Sequence, residues 1–257
     1  MKFAVCVETI FTKLLFLERL EKVKETGVDA FEFWEWKPKD LDAINKKRKE
    51  LGLSVSSFVI EPLLPSLVDS DVSRQFGKSV EDSIKVAQKL ECGTLIAPVG
   101  LGKKPHFKSH EAQLRNALRN IEAVKPLLEE ANVTMVLEPV NPIEHKNCFL
   151  ATSKEGSELI RAINSPNIRL LFDFYHLQIS EGNVIENMKA NYDLIGLFHI
   201  GDFPGRHQPG TGKIDFGDIF KFLSRMDYKK YISMEFTPTI DDIAAVRQTV
   251  QLADSSK

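Results

Sequence analysis

The chain has 257 residues, 43% apolar and 27% charged, with 34 Lys and Arg against 36 Asp and Glu and a formal net charge of −2. That profile fits a soluble globular protein with a large core, and the charge balance argues against dedicated binding to nucleic acid or an anionic membrane. No apolar run approaches the ~18–20 residues of a membrane helix, the apolar start is too short for a secretory signal core, and the scattered Cys6, Cys92 and Cys148 make no disulfide framework, so a cytoplasmic location is expected.

Residues 3–8 predict a first strand, with Cys6 as a small core residue, and residues 16–26 an amphipathic helix that Gly27 stops. Strands over 28–34 and 53–59 flank a helix over 41–51, whose basic cluster Lys46-Lys47-Arg48-Lys49 reads as its solvated face. A long loop (61–72) leads to a helix over 73–90, and a fourth strand over 94–99 precedes a helical segment over 112–130. The fifth strand, 133–138, is followed by a helix over 154–163 that Thr152-Ser153 and Glu155 open. Strands over 168–173 and 194–199, a second long loop (201–214), a helix over 215–226, a strand over 231–236 and a helix over 240–252 complete the chain.

Strand and helix alternate throughout, and a parallel pairing needs a crossover of about a dozen residues or more, so the sheet is expected to be parallel. About eight such units of roughly 32 residues each use the whole length on one (β/α)8 TIM barrel of the xylose isomerase-like kind. An open doubly wound sheet is the alternative, but its Gly-rich first turn is missing: the residues there are Glu8-Thr9-Ile10-Phe11-Thr12. No linker or change of composition marks a boundary, so residues 1–257 are expected to form a single domain with its active site at the C-terminal ends of the strands.

Four of the predicted strands carry a polar ligand at or near that end: Glu138, Asp173, His199 and Glu235. Bringing three carboxylates together out of water calls for a compensating cation. With one imidazole they make a set suited to Mn²⁺ or Mg²⁺, with Co²⁺ and Zn²⁺ as further candidates. The competing reading is a group of buried salt bridges to Arg or Lys. Two glutamates on strands five and eight, facing each other across a metal, could remove and return a proton through an enediolate, giving isomerisation or epimerisation.

Glu138-Pro-Val-Asn141, Asp173-Phe-Tyr-His176 with Glu181-Gly182, the loop from His199 through Pro204-Gly-Arg206-His207-Gln-Pro-Gly-Thr-Gly212, and Met234-Glu235-Phe resemble the hydroxypyruvate isomerase family. Phe11-Thr12, Phe16-Leu-Glu-Arg19 and Gly27 to Trp34 fit the same pattern. That family belongs to the xylose isomerase-like barrels, as do the ketose 3-epimerases. The resemblance implies that Glu138 and Glu235 are paired catalytic glutamates that also ligate a metal, with Asp173 and His199 at the other two metal positions. Some hydroxypyruvate isomerases place Gln at this last position, whereas His is the choice of the 3-epimerases.

The resemblance also places His176 near the substrate oxygens and Arg206 near a substrate-binding Arg. Glu144 falls where 3-epimerases have a substrate-contacting Glu, or is an exposed loop acid. Arg206, His207 and His176 are the available partners for a substrate carboxylate. Trp34 and Trp36 either wall the pocket against water, or Trp34 packs under a helix while Trp36 covers the rim.

The expected substrate is therefore a small hydroxy-keto acid, with hydroxypyruvate and tartronate semialdehyde the leading pair, or alternatively a ketose. A dehydratase of inosose or dehydroshikimate type would share the proton abstraction. Apurinic endonucleases share the barrel but gather several metals on many histidines, which six His and the charge of −2 argue against. The sequence shows no Ser or Cys nucleophile with an identifiable base. Gly100-Leu-Gly102-Lys103-Lys104 lacks phosphate-loop spacing, and His106, His110 and His145 read as surface residues. A monomer and a homo-oligomer both stay open.

Overall fold

A computed structural model describes residues 1–62, 67–70, 72–99, 109–146 and 148–256. Eight strands, β1 (Lys2–Cys6), β2 (Ala30–Phe33), β3 (Ser54–Val59), β4 (Thr94–Pro98), β5 (Thr134–Glu138), β6 (Ile168–Asp173), β7 (Ile195–Ile200) and β8 (Tyr231–Met234), pair in chain order. All pairs are parallel, and β1 with β8 closes the barrel. The described helices are α1 (Phe16–Thr26), α2 (Leu41–Leu51), α3 (Ser73–Leu90), α4 (His110–Glu122), α5 (Lys125–Ala131), α6 (Ser153–Ile163), α7 (Phe174–Ser180), α8 (Val184–Ala190), α9 (Phe216–Arg225) and α10 (Asp242–Ser255). None is long and apolar enough to cross a membrane.

The period of two along each strand decides what faces in. Met135 and Leu137, Leu170 and Phe172, Phe198 and Ile200, and Ile232 and Met234 join the large cluster shared with the helices. Between them, Val136, Leu171 and Leu197 form a separate inner cluster with Val59 and Ile96, against which Tyr231 packs. Each buried Leu, Ile or Phe contributes roughly 1.5–3 kcal/mol, and this apolar shell offsets the cost of a polar interior. Gly196 fits the inner layer because a Cβ there would meet Val136 Cγ1 at 2.8 Å. Two residues beyond Val136, Leu171 and Leu197 on the same face stand Glu138, Asp173 and His199, and four beyond Tyr231 stands Glu235. The alternation that builds the core thus delivers all four to the mouth.

The structure corrects several sequence-based boundaries. The helical segment over 112–130 is two helices, because Pro126 has no N–H and its ring crowds the carbonyl four residues back; it is accepted near the start of α5 instead. Helices α7 and α8, of seven residues each, were not expected. Each is too short for a helical period to stand out, and α7 begins directly on the Asp173 side chain, which accepts the His176 N–H at 3.0 Å. Strand β8 ends at Met234, yet Glu235 N–H still donates to the Ile200 carbonyl at 3.1 Å, which fixes its direction. The Gly100–Lys104 segment and His106 lie outside the described residues.

Candidate active site

Glu138, Asp173, His199 and Glu235 are all buried, and each offers one ligand atom within 4.8 Å of the others. Arg206 enters from the loop after β7, with its backbone in the left-handed region at φ 54°. Its Nη2 donates to Asp173 Oδ2 at 2.8 Å and Glu235 Oε2 at 2.7 Å, and its Nε donates to the Glu235 carbonyl at 3.1 Å. The guanidinium lies 5.2 Å from the centre of the Tyr175 ring. Both readings of the acid cluster therefore have a physical counterpart: the carboxylates are close enough to share one cation, and a half-buried Arg bridges two of them.

His199 presents its two nitrogens to different surroundings. Nδ1 lies 2.5 Å from Glu235 Oε2 and 3.8 Å from both Glu138 Oε1 and Asp173 Oδ2. Close as it is, Nδ1 makes no properly directed hydrogen bond. Nε2 faces Glu32 Oε2 at 3.0 Å. Burial works against charging this imidazole, but Glu32 and Glu235 outweigh it and raise its pKa well above the ordinary value. An undirected imidazole nitrogen converging with three carboxylates is a donor set that fits a divalent cation such as Mn²⁺, Mg²⁺ or Co²⁺.

The two glutamates are driven apart. Burial pushes the Glu138 carboxyl up to about 8, with Glu235 and Asp173 adding to the rise and His199 opposing it. Burial also works to raise Glu235, but Arg206 and His199 hold it well below the usual carboxylate range. Trp34 completes the Glu235 side by donating from Nε1 to Oε1 at 3.1 Å. This places Trp34 at the site, whereas Trp36 donates to Ser83 of α3 at 3.2 Å.

On the Glu138 side, the Asn141 side chain joins three groups. Its Nδ2 donates to His176 Nδ1 at 2.7 Å and to Glu144 Oε2 at 2.9 Å, while its Oδ1 accepts the Glu144 N–H at 2.8 Å. With Nδ1 accepting, the His176 proton sits on Nε2, 3.9 Å from Asp173 Oδ2. Burial lowers the His176 pKa and favours this neutral ring. Glu144 is exposed, as the loop-acid reading expects, but it is tied to the site: its Oε1 accepts the Tyr175 hydroxyl at 2.6 Å. Burial opposes its ionisation, yet the bonds from Tyr175 and Asn141 lower its pKa. His145 is half-buried, its ring 5.4 Å from that of His176, which corrects its reading as a surface residue; His110 is exposed. His207 turns its Nδ1 to the Thr237 carbonyl at 2.8 Å.

Sequence reasoning passed over Glu32 and Asp202. A lone acid inside Ala30-Phe-Glu-Phe33 was the available signal for the first. Asp202 is fully buried, its Oδ2 accepting the N–H groups of Gly210 and Gly212 at 2.9 and 2.8 Å and its Oδ1 those of Phe203 and Ile214 at 2.8 and 3.1 Å. One carboxylate thereby folds the loop that carries Arg206. Gly212 is required there, since a Cβ would lie 2.2 Å from the Phe203 carbonyl oxygen.

Residues 20–255 match a family model described as Xylose isomerase-like TIM barrel. Hydroxypyruvate isomerase of Escherichia coli (strain K12) is 26% identical, covering 96% of this chain and 97% of its own. The 2-oxo-tetronate isomerase of Pectobacterium atrosepticum is 24% identical, covering 92% of each. Among solved structures, an AP endonuclease, family 2, from Brucella melitensis superposes with a TM-score of 0.90 at 23% identity, over 97% of this chain and 98% of that one. An L-ribulose 3-epimerase gives 0.82 at 23% identity, over 100% and 94%.

Proposed function

The chain belongs to the xylose isomerase-like TIM barrel family and is an isomerase, and from that premise we propose that it interconverts a small 2-oxo acid with its aldehyde isomer, hydroxypyruvate with tartronate semialdehyde first. The observation that carries this reading is the convergence of Glu138 and Glu235, from strands three apart around the ring, on one cluster with Asp173 and His199. Those four side chains would hold a divalent cation. When bound, it would supply Lewis acidity to the substrate's carbonyl and neighbouring hydroxyl oxygens.

One glutamate takes a proton from the hydroxymethyl carbon of hydroxypyruvate, and the other delivers a proton to the former carbonyl carbon. The hydroxyl proton passes to the former carbonyl oxygen, so the product is tartronate semialdehyde with no net gain or loss of atoms. The Nε2–H of His176 faces these oxygens and can donate to them. Arg206 binds the substrate carboxylate, and Trp34 holds Glu235 in place while screening that side from water.

A second reading, epimerisation of a ketose at C3, is favoured by His199 and by Glu144, which the Asn141 and Tyr175 bonds hold beside His176. Incubation with hydroxypyruvate in D₂O, with and without Mn²⁺, decides by NMR. Metal-dependent deuterium incorporation with tartronate semialdehyde formation supports the first reading. Exchange confined to ketoses such as tagatose or fructose gives the second, and exchange that survives both Glu138→Gln and Glu235→Gln overturns the two-glutamate scheme.

A further inference from the structure

Glu32 takes no part in the reaction above, yet it is one of the most deeply buried acids in the molecule. It lies between Phe31 and Phe33, which enter the outer core, and its own side chain turns into the barrel, fully buried. Oε2 accepts from His199 Nε2 at 3.0 Å and from Ser57 Oγ at 2.5 Å, whereas Oε1 has no hydrogen-bond partner. Burying an acid costs several kcal/mol unless it is paired, and a carboxylate kept only for stability is expected to satisfy both of its oxygens. This one leaves Oε1 unpaired and turns its bonded oxygen to a ring nitrogen of a candidate metal ligand, with Ser57 as the second donor.

We infer that Glu32 is the positioning residue of the metal site: by accepting from His199 Nε2–H it keeps a proton on that nitrogen and fixes the tilt of the ring, so that Nδ1 faces Glu138, Asp173 and Glu235. The inference rests on the metal-dependent reading given above. Ser57, on the neighbouring strand β3, holds Oε2 at the right height. A ligating imidazole whose other nitrogen is anchored by a carboxylate gains basicity and loses rotational freedom, and removing such an anchor typically weakens metal binding by about 10–100-fold.

The test measures Mn²⁺ affinity from the free-ion EPR signal on the full chain and on Glu32→Gln, Glu32→Ala and Ser57→Ala. Metal-free melting temperatures and long-range ¹H–¹⁵N spectra of the Zn²⁺-loaded, ¹⁵N-histidine-labelled proteins accompany it. Glu32→Ala is expected to weaken binding about 10–100-fold, and Glu32→Gln and Ser57→Ala to do so less, because an acceptor oxygen survives in both. The Zn²⁺-loaded chain should show His199 protonated at Nε2 and metallated at Nδ1, and Glu32→Ala should lose that fixed proton. Affinity within about twofold of the parent in both Glu32 variants overturns the inference, even if their melting temperatures fall, since only a structural role would then remain. Ligation through Nε2 overturns it as well. If the parent chain binds neither Mn²⁺ nor Zn²⁺, it is the metal-dependent reading that fails instead.

Discussion

The Glu235 and Glu138 sides of the mouth hold the same side chain in opposite conditions. Glu235 is gripped by Arg206 through two nitrogens, approached by His199 at 2.5 Å and bonded by Trp34, so its charge is fixed and its position determined. Glu138 has burial as its largest influence, and its nearest charged neighbours are mixed in sign, so its carboxyl is pushed up to about 8. Beyond it lies a chain of hydrogen bonds from Asn141 to His176 and from Glu144 to Tyr175. A pair of acids tuned apart in this way suits a proton taken at one place and returned at another. On the proposed reading, a substrate carboxylate would bind on the Arg206 side and substrate hydroxyls on the Glu138 side.

The largest effect should come from the acids themselves. Glu138→Gln and Glu235→Gln should each lower kcat for hydroxypyruvate by about 10²–10⁴, the range of a lost general acid or base, read by coupled assay or NMR. A variant retaining a tenth or more of the parent rate would break the two-sided scheme.

Asp202→Ala should come next, through stability. It leaves the N–H groups of Phe203, Gly210, Gly212 and Ile214 without their acceptor, in a loop whose anchor Asp202 is fully buried but whose glycines are exposed. An unsatisfied buried donor costs about 1–3 kcal/mol, less wherever water enters, so a loss of about 2–5 kcal/mol in urea unfolding is expected. Because the same loop aims Arg206, hydroxypyruvate KM should rise as well. Unchanged stability would mean that the loop has another anchor.

Arg206→Ala sharpens the assignment of the charged side. Losing a charge-assisted hydrogen bond to a substrate carboxylate should cost about 1.5–3 kcal/mol, a rise of roughly 10–100-fold in KM for hydroxypyruvate. Turnover of an uncharged ketose should suffer much less in KM. Equal losses for both would show that Arg206 serves the protein's own carboxylates and not the substrate's.

The barrel was legible in the sequence because its evidence is repeated: eight alternations of a short β-branched run with an amphipathic segment, each ending near a turn residue. The four acid and imidazole positions were legible for the same reason, since strand parity alone carries Glu138, Asp173 and His199 to one face. What stayed hidden depends on pairing between distant strands. Nothing in the local pattern of Ala30–Phe33 says that Glu32 will meet His199 across the barrel, 167 positions later. Nor could spacing reveal that Asp202 binds N–H groups as far away as Ile214, or that His207 faces the Thr237 carbonyl while Arg206 beside it faces the acids. Glu144 is exposed, as one reading of the sequence has it, and what stayed hidden is its bond to Tyr175, 31 residues away.

The smallest effect separates the two substrate readings on the Glu138 side. Tyr175→Phe removes one hydroxyl, at 2.6 Å from Glu144 Oε1, and leaves the ring against which Arg206 lies. Its energetic cost to the fold should be about 1 kcal/mol, the net worth of one hydrogen bond. Burial works to raise the Glu144 pKa and the Tyr175 and Asn141 bonds lower it, so losing the hydroxyl lets that carboxyl rise and its orientation loosen. If the substrate is a hydroxy-keto acid bound on the Arg206 side, kcat/KM should fall by no more than a few-fold. If the substrate is a ketose whose distal hydroxyls reach Glu144, the same variant should lose about tenfold or more in KM, because Glu144 would then be misdirected at the point of contact. Measuring both substrates on this one variant, with Arg206→Ala as its charged counterpart, tells which side of the mouth reads the substrate.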